Sequence, residues 1–376
     1  MIIDIFCKVI DNYGDIGVCW RLTRELTDLN KSVNLYVDDL NAFKKINNSI
    51  NPDKEVQNIN YNNKTIHVIH WNKTNKEYSP GDMVIEAFAC NLDKNCIEQL
   101  TEKNIWINLE YLSAENWVED CHQLPSLQNN NLKKYFFFPG FTEKTGGLNF
   151  NTFLKQYDKN VCRQIVLNYL KLSSDLGNKF WFFLFCYENT NIKTLLEQIL
   201  KHHPEGVLLL PESLISNYLH VNNIIEDIKQ KYPKATFIEF SMIPQEYFDI
   251  IIKSTDLNIV RGEDSITQAI LAGVPFIWHI YEQEENVHIE KLKAMIEKFE
   301  KFLPEETKEI YKDTLICFNE KNISNNILCA KFDDFMLEYT KISEATSKWS
   351  AYLYSNKSLG TNLIRFYENL TKTRKS

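Results

Sequence analysis

A short stretch near the start of the chain, DNYGDIGVCWRL (residues 11–22), places Asp11 and Asp15 four residues apart, between an apolar run and a helical pattern. We refer to residues 11–15 as the acidic turn. A carboxylate in this position could act as a general base or stabilise a developing positive charge. It could also be structural, because Asp is a favoured N-cap residue and the helical pattern starts at Ile16.

A second stretch, NIVRGEDSITQAILAG (258–273), ends an apolar run with an Arg–Gly pair immediately before a helical pattern. We refer to residues 261–265 as the arginine turn. The backbone N–H groups at a helix start, the helix dipole and a guanidinium all favour a bound anion. The carboxylates of Glu263 and Asp264 suit a sugar or ribose hydroxyl better than an anion. The alternative interpretation is a charged, well-capped helix start without a ligand.

Several common ligand motifs are missing from the sequence. The acidic turn holds Gly14 and Gly17 but no GxGxxG fingerprint, and its carboxylates would repel phosphate. No P-loop pattern, CxxC pair or Cys/His group at zinc spacing occurs. The VDD at 37–39 resembles a metal-binding DxD only loosely, and a solvated turn is the favoured interpretation. The sequence therefore predicts no bound metal.

Apolar runs that alternate with helical patterns must position these turns. Many of the runs are continuously apolar, which is typical of strands buried on both faces of a parallel sheet. The predicted strands are residues 2–10, 32–39, 64–71, 82–89, 104–112, 133–140, 179–187, 206–211, 235–240, 256–262 and 274–281.

Two successive series of this kind predict an α/β fold with two facing, Rossmann-like doubly wound domains and a cleft between them. The predicted domains are residues 1–152 and 153–345. A helical segment, 346–376, could pack back on the first domain. In such sheets ligands bind at the carboxyl ends of the strands, where both turns fall.

Composition narrows the class of protein. The formal net charge is −8 and the isoelectric point about 5.6, which argues against a nucleic-acid-binding protein. No apolar stretch approaches the roughly 18 residues of a membrane span. The nine cysteines are scattered singly, as in a protein with reduced thiols, and the N-terminus lacks the features of a signal peptide. We therefore expect a cytoplasmic protein without a membrane partner.

Taken together, several segments resemble one family, the bacterial protein-arginine rhamnosyltransferases of elongation factor P (EarP). The acidic and arginine turns are the most specific parts of this resemblance, whereas beyond residue 300 it is weak and rests chiefly on WSAYLYS (349–355). Cys186 departs from the family pattern, where Gly is expected. The segments that carry the resemblance are IFCKVIDNYGDIGVCWRLTREL, VIEAFAC, LEYLSAE, KYFFFPGFTEKTGGL, IPQEYFD and IVRGEDSITQAILAGVPFIWHIYEQEENVHIEKL.

The resemblance implies a metal-independent, inverting glycosyltransferase of the GT-B architecture. The implied donor is dTDP-β-L-rhamnose and the implied acceptor an arginine of elongation factor P, with no cofactor. The first domain would bind the acceptor and the second the donor. The resemblance implies catalytic roles for Asp11, Asp15 and Glu263. The donor-binding residues implied are Tyr13, Gly14, Phe185, Tyr187, Gln245, Arg261, Gly262, Glu263, Asp264 and Ser265.

The chemistry of an arginine acceptor agrees with this assignment. A guanidinium stays protonated at neutral pH and is a poor nucleophile. A carboxylate can orient one of its nitrogens and accept the proton as the N–C bond forms. We favour Asp15 as this base and Asp11 as its orienting partner, although the sequence leaves their order open.

Two other functions remain open at this point. One is another GT-B sugar-nucleotide enzyme, either an epimerase or a transferase to a small acceptor. The other is a non-catalytic binding protein with a GT-B-like fold, which would be expected to have lost one of the two turns.

Overall fold

A computed structural model describes residues 1–10, 13–72, 78–128 and 132–373, with only the backbone described at 152 and 153. Asp11 lies outside the described residues. The chain divides into two units. Unit 1 comprises residues 1–151 and 354–376, and unit 2 comprises residues 152–353.

Thirteen strands form within the described residues. In chain order β1 to β13 are Ile2–Cys7, Ser32–Val37, Val56–Tyr61, Lys64–His70, Met83–Ala87, Ile105–Leu109, Pro125–Leu127, Lys133–Phe137, Trp181–Phe185, Val207–Pro211, Thr236–Phe240, Leu257–Arg261 and Phe276–His279.

The α-helices of the same residues connect these strands and form the C-terminal region. In chain order α1 to α16 are Gly14–Asp28, Leu40–Ile46, Lys94–Gln99, Trp117–Cys121, Thr152–Gln156, Lys159–Tyr169, Ile192–His202, Leu214–Val221, Ile224–Lys231, Gln245–Ser254, Glu263–Ala272, Val287–Phe299, Glu305–Asn319, Asn325–Leu337, Tyr339–Ser355 and Leu359–Thr373.

Unit 1 contains an eight-stranded sheet in the order β3-β4-β2-β1-β5-β6-β8-β7. Its six inner strands pair in parallel, and β3 and β7 add to its two edges in antiparallel orientation. Strands β5 and β6 are buried along their whole length, because their side chains are covered on both faces. The carboxyl ends of β1, β5 and β6 therefore lie side by side.

Unit 2 contains a five-stranded parallel sheet in the order β11-β10-β9-β12-β13. Strands β9 and β12 are paired neighbours at its centre. The apolar side chains of Trp181, Phe182, Phe183 and Leu184 are fully buried, as expected of a central strand. The predicted α/β fold with two mostly parallel sheets is confirmed. Among the described residues, no helix combines the length and the apolar composition needed to cross a bilayer.

The C-terminal end of unit 2 lies beyond the predicted domain boundary at residue 345. Helix α15 is continuous to Ser355, and its Trp349 is buried against Phe276 and Phe299, so unit 2 extends to Leu353. Helix α16 then packs in unit 1, where Leu359, Leu363 and Phe366 join the core that also contains residues of α1 and β1. The chain thus returns to unit 1 after completing unit 2.

A buried carboxyl group fixes the start of α16 to α1. Oε1 of Glu25 accepts a hydrogen bond from Gly360 N–H at 3.0 Å, and its Oε2 is buried. Burial raises the pKa of Glu25 to about 7 from its ordinary 4.5. Because the pKa is raised in the folded state, this group stabilises the fold most below about pH 4.5, and the contribution is lost as the pH rises through about 7.

We predict that Glu25→Gln removes this part of the pH dependence. Between acid and neutral pH, the free energy of unfolding of wild type should fall by up to about 3 kcal/mol more than that of the variant. Urea unfolding of both proteins at about pH 5 and about pH 8 measures the difference. Equal pH dependence in the two proteins would contradict the assignment.

Candidate functional site

Asp15 of the acidic turn is the second residue of α1 and only 2% exposed. Its Oδ2 accepts a hydrogen bond from Ile10 N–H at 2.8 Å, and its Oδ1 accepts one from the Tyr111 hydroxyl at 3.2 Å. The helix starts at Gly14 with Tyr13 at the N-cap position, so the interpretation of Asp15 as the cap of a helix from Ile16 is wrong. Asp15 instead links the connection between β1 and α1 to the segment that follows β6, two strands away in the sheet.

The other predicted residues of the acidic turn have different surroundings. The Tyr13 hydroxyl accepts a hydrogen bond from Lys45 Nζ at 3.2 Å, and the same ammonium lies 5.6 Å from the Tyr13 ring centroid. Gly14 opens α1. Both residues belong to unit 1, together with Asp15.

Two thiols lie in the core behind the acidic turn. Cys7 ends β1 and Cys19 lies in α1, and both are fully buried. A hydrogen bond with Cys19 and burial together raise the pKa of the Cys7 thiol well above its ordinary value. Cys7 is therefore neutral and unsuited to act as a nucleophile. Asp15 remains the better candidate for proton transfer in this part of unit 1.

Arg261 ends β12, and its guanidinium carbon lies over two aromatic rings of unit 2. The distances to the ring centroids are 4.7 Å for Phe185 and 4.9 Å for Tyr187. Phe185 ends β9, and Tyr187 lies two residues beyond it. Because β9 and β12 are paired in parallel, these residues and Arg261 lie at the same edge of the sheet. This stacking fixes the guanidinium plane, as cation–π contacts commonly do.

The start of α11 completes this group of residues. Gly262 stands at the N-cap position with φ 61° and ψ −178°, a conformation that glycine alone adopts readily. The Ser265 hydroxyl donates to the Arg261 carbonyl across the turn. Glu263 and Asp264 supply the first-turn charges of the helix, and Gln245 Nε2 donates to Asp264 Oδ2 at 3.4 Å.

The structure thus brings together the residues of unit 2 that the sequence analysis named. They are Phe185, Tyr187, Gln245, Arg261, Gly262, Glu263, Asp264 and Ser265. A stacked guanidinium beside the amides of a helix start is suited to a diphosphate. The carboxylates that follow are suited to hydroxyl donors.

His279 is a further neighbour of this group, and it is not among the site residues predicted from the sequence. It ends β13 in register with Arg261, and its ring centroid lies 5.4 Å from that of Tyr187. Burial lowers the pKa of His279 to about 4, so its imidazole is neutral at neutral pH. Its position at the carboxyl end of a strand was the signal that could have identified it. Cys186, the departure from the family pattern, is buried, and burial raises the pKa of its thiol.

No group of three or more His, Cys, Asp or Glu side chains that could hold a metal ion occurs within the described parts of the chain. The VDD segment has a structural role. Asp38 Oδ1 accepts from Val9 N–H at 2.8 Å, and Asp39 caps α2 by accepting from the N–H groups of Asn41 and Ala42.

The fold is that of the glycosyltransferases of GT-B architecture. One similar solved structure is described as "Structural basis for EarP-mediated arginine glycosylation of translation elongation factor EF-P". It aligns with a TM-score of 0.63 and 22% identity over 98% of this chain and 99% of that chain. A ugt transferase from Siraitia grosvenorii in complex with UDP aligns with a TM-score of 0.53 and 11% identity over 99% and 100% of the chains. These likenesses concern the fold.

Sequence comparison identifies the family. The family model "Elongation-Factor P (EF-P) rhamnosyltransferase EarP" matches residues 3–368. A protein-arginine rhamnosyltransferase of Pseudomonas aeruginosa is 34% identical over 97% of this chain and 98% of its own length. One of Shewanella oneidensis is 40% identical over 78% of this chain and 79% of its own length. The chain belongs to the EarP family, as its resemblance indicated, and is a glycosyltransferase.

Gly262 allows a specific prediction for unit 2. A Cβ at this position would meet no atom closer than Tyr187 Oη at 3.9 Å, so Gly262→Ala acts through backbone strain rather than a clash. We expect a loss of about 1–3 kcal/mol of stability. The control is Gly177→Ala, where a Cβ would make only ordinary contacts from 3.5 Å upward. Thermal melting compares the two variants, and equal losses of stability would contradict a special role for Gly262.

Proposed function

We propose that the protein transfers L-rhamnose from dTDP-β-L-rhamnose to the guanidinium of an arginine on elongation factor P, with inversion at the anomeric carbon and without a metal ion. The observation that carries this proposal is the buried carboxylate of Asp15, with both oxygens held by hydrogen bonds at the carboxyl edge of a parallel sheet. The family of the chain and the names of its relatives support the sugar and the acceptor.

Asp15 would receive the acceptor. A guanidinium is a weak nucleophile, because its lone pairs are delocalised and the group is protonated. A fixed carboxylate accepts hydrogen bonds from it, aims one nitrogen at the anomeric carbon and takes up a proton as the N–C bond forms. Asp11 is proposed as an additional charge in this turn that balances the cationic acceptor. The low exposure of Asp15 strengthens each of these electrostatic effects.

The residues around Arg261 would receive the donor. As the bond between the anomeric carbon and the diphosphate oxygen breaks, dTDP leaves with the electron pair, and its negative charge needs stabilisation. The stacked Arg261 guanidinium and the amides at the start of α11 supply positive charge. Phe185 offers a ring face for the base, Tyr187 a hydroxyl for phosphate, and the carboxylates of Glu263 and Asp264 acceptors for sugar hydroxyls. Gln245, Gly262 and Ser265 would shape the donor site, and Tyr13 and Gly14 are proposed as further donor contacts from unit 1.

The test is intact-mass analysis of elongation factor P after incubation with the purified protein and dTDP-rhamnose. The expected product carries one deoxyhexose. Transfer to a small acceptor but not to elongation factor P would indicate a different transferase, and conversion of the nucleotide sugar alone would indicate an epimerase. An unmodified protein together with an unchanged donor would indicate a non-catalytic binding protein.

A further inference from the structure

Two stacked aromatic rings lie at the carboxyl edge of the unit 1 sheet, and one of them is hydrogen-bonded to Asp15. Phe88 follows β5 directly, and Tyr111 lies two residues beyond the end of β6. The ring centroids are 4.4 Å apart, with an interplanar angle of 14°. The Tyr111 hydroxyl donates to Asp15 Oδ1 at 3.2 Å. Phe88 is thus linked to the Asp15 carboxylate through Tyr111.

The backbone that presents Phe88 has an unusual conformation. Phe88 and Ala89 have φ values of 57° and 51°, a left-handed region that bulky residues rarely adopt. The turn is fixed to β6 by two hydrogen bonds. Phe88 N–H donates to the Leu109 carbonyl at 2.7 Å, and Ala89 N–H donates to Asn108 Oδ1 at 3.1 Å. Because the same strand leads into Tyr111, the turn and the tyrosine are held in a fixed relation.

The exposures of these side chains differ. Asp15 is 2% exposed and Phe88 9%, whereas Tyr111 is 40% exposed. Tyr111 therefore extends from the buried carboxylate towards solvent, with one ring face covered by Phe88. Strained backbone conformations cluster at functional sites, so the turn at Phe88 points to a functional role for the tyrosine that it holds.

We propose that Tyr111 is a positioning residue for Asp15, and that the Phe88 turn holds Tyr111 in place. This inference rests on the proposed function, because it assigns Tyr111 to the carboxylate that would accept the proton. Ile10 N–H holds one oxygen of Asp15 and Tyr111 the other, so the two bonds together set the orientation of the carboxylate plane.

The experiment compares Tyr111→Phe with wild type in rhamnosylation of elongation factor P. The variant keeps the ring and its stacking and loses only the hydroxyl. We expect kcat to fall by roughly tenfold with little change in the KM for the acceptor. Phe88→Leu, which removes the stacking partner, should produce a smaller change in the same direction.

The matched control is Tyr61→Phe. Its hydroxyl donates to Asp28 Oδ2 at 3.1 Å, so the same substitution removes the same kind of bond at the other end of α1. This variant should keep the wild-type kcat and KM. Melting temperatures and calorimetry with dTDP check that each variant is folded and binds the donor nucleotide.

The outcomes separate this inference from the proposed function. If wild type modifies elongation factor P and Tyr111→Phe has an unchanged kcat, whatever its KM, the positioning role is wrong and the proposed function stands. If wild type does not modify elongation factor P, the proposed function fails and the inference fails with it.

Discussion

Replacement of Asp15 by Asn is expected to abolish sugar transfer while leaving the binding of dTDP nearly unchanged. Asn has a similar shape and still accepts a hydrogen bond, but it cannot take up the proton that the guanidinium loses. Removal of a general base typically costs about 10²–10⁴-fold in rate, and we expect at least about 10²-fold here. The measurement is kcat for the modification of elongation factor P, with dTDP affinity measured by calorimetry.

Asp39→Asn is the control for this change. Asp39 is an exposed N-cap residue of α2 in the same unit, and Asn is an equally good cap, so this variant should keep wild-type activity. If Asp15→Asn retained more than about a tenth of the wild-type kcat, a difference of under about 1.4 kcal/mol in the barrier, Asp15 would not be the base. Asp11→Asn, measured in the same way, would then be the next variant to compare.

Replacement of Arg261 by Ala is expected to weaken the binding of dTDP by about 10²-fold, because charge-assisted hydrogen bonds to phosphate contribute about 1.5–3 kcal/mol each. Arg261→Lys keeps the charge but loses the planar group that lies over Phe185 and Tyr187. Its affinity for dTDP should therefore lie between those of wild type and Arg261→Ala. Calorimetric titration with dTDP measures all three proteins.

The control for Arg261 is Arg365→Ala, which removes an exposed arginine of α16 in the other unit and should leave dTDP affinity unchanged. An unchanged affinity in Arg261→Ala would mean that the diphosphate binds elsewhere. A loss of melting temperature in Arg261→Ala larger than that in Arg261→Lys would show that stacking also supports the fold of this edge of the sheet.

The strands that could be predicted are those whose burial produces a recognisable pattern of apolar residues in the sequence. Strands covered on both faces, such as β5 and β9, are continuous apolar runs and were identified within a few residues of their ends. The two antiparallel edge strands were missed. Strand β3 reads VQNINY, in which three of the six residues are polar amides, and β7 has three residues and begins with Pro125, so neither has the pattern of a buried strand.

The candidate site was predictable where its residues follow one another in the chain. Arg261, Gly262 and the charges after them lie in one turn, and their types alone suggested an anion site. Their partners are set by strand register, which no local pattern encodes. His279 is placed beside Arg261 only because β13 pairs with β12, and Tyr111 reaches Asp15 only because β6 is held next to the left-handed turn at Phe88.

The sequence alone could not show whether Asp15 is a helix cap or a carboxylate held for catalysis. Its type and position were consistent with a helix cap, and the hydrogen bonds that identify it as a held, buried carboxylate come from Ile10 and from a residue 96 positions away. Asp11 lies outside the described residues, so its role stays a prediction.

In the proposed reaction, a protein guanidinium is the nucleophile. Fragmentation mass spectrometry of elongation factor P, modified in the presence of dTDP-rhamnose, locates the sugar on a particular residue. We expect a single deoxyhexose on the side chain of one arginine, and none when Asp15→Asn replaces the wild-type enzyme. A deoxyhexose on a serine, threonine or lysine, or an arginine adduct formed equally well by Asp15→Asn, would contradict the account.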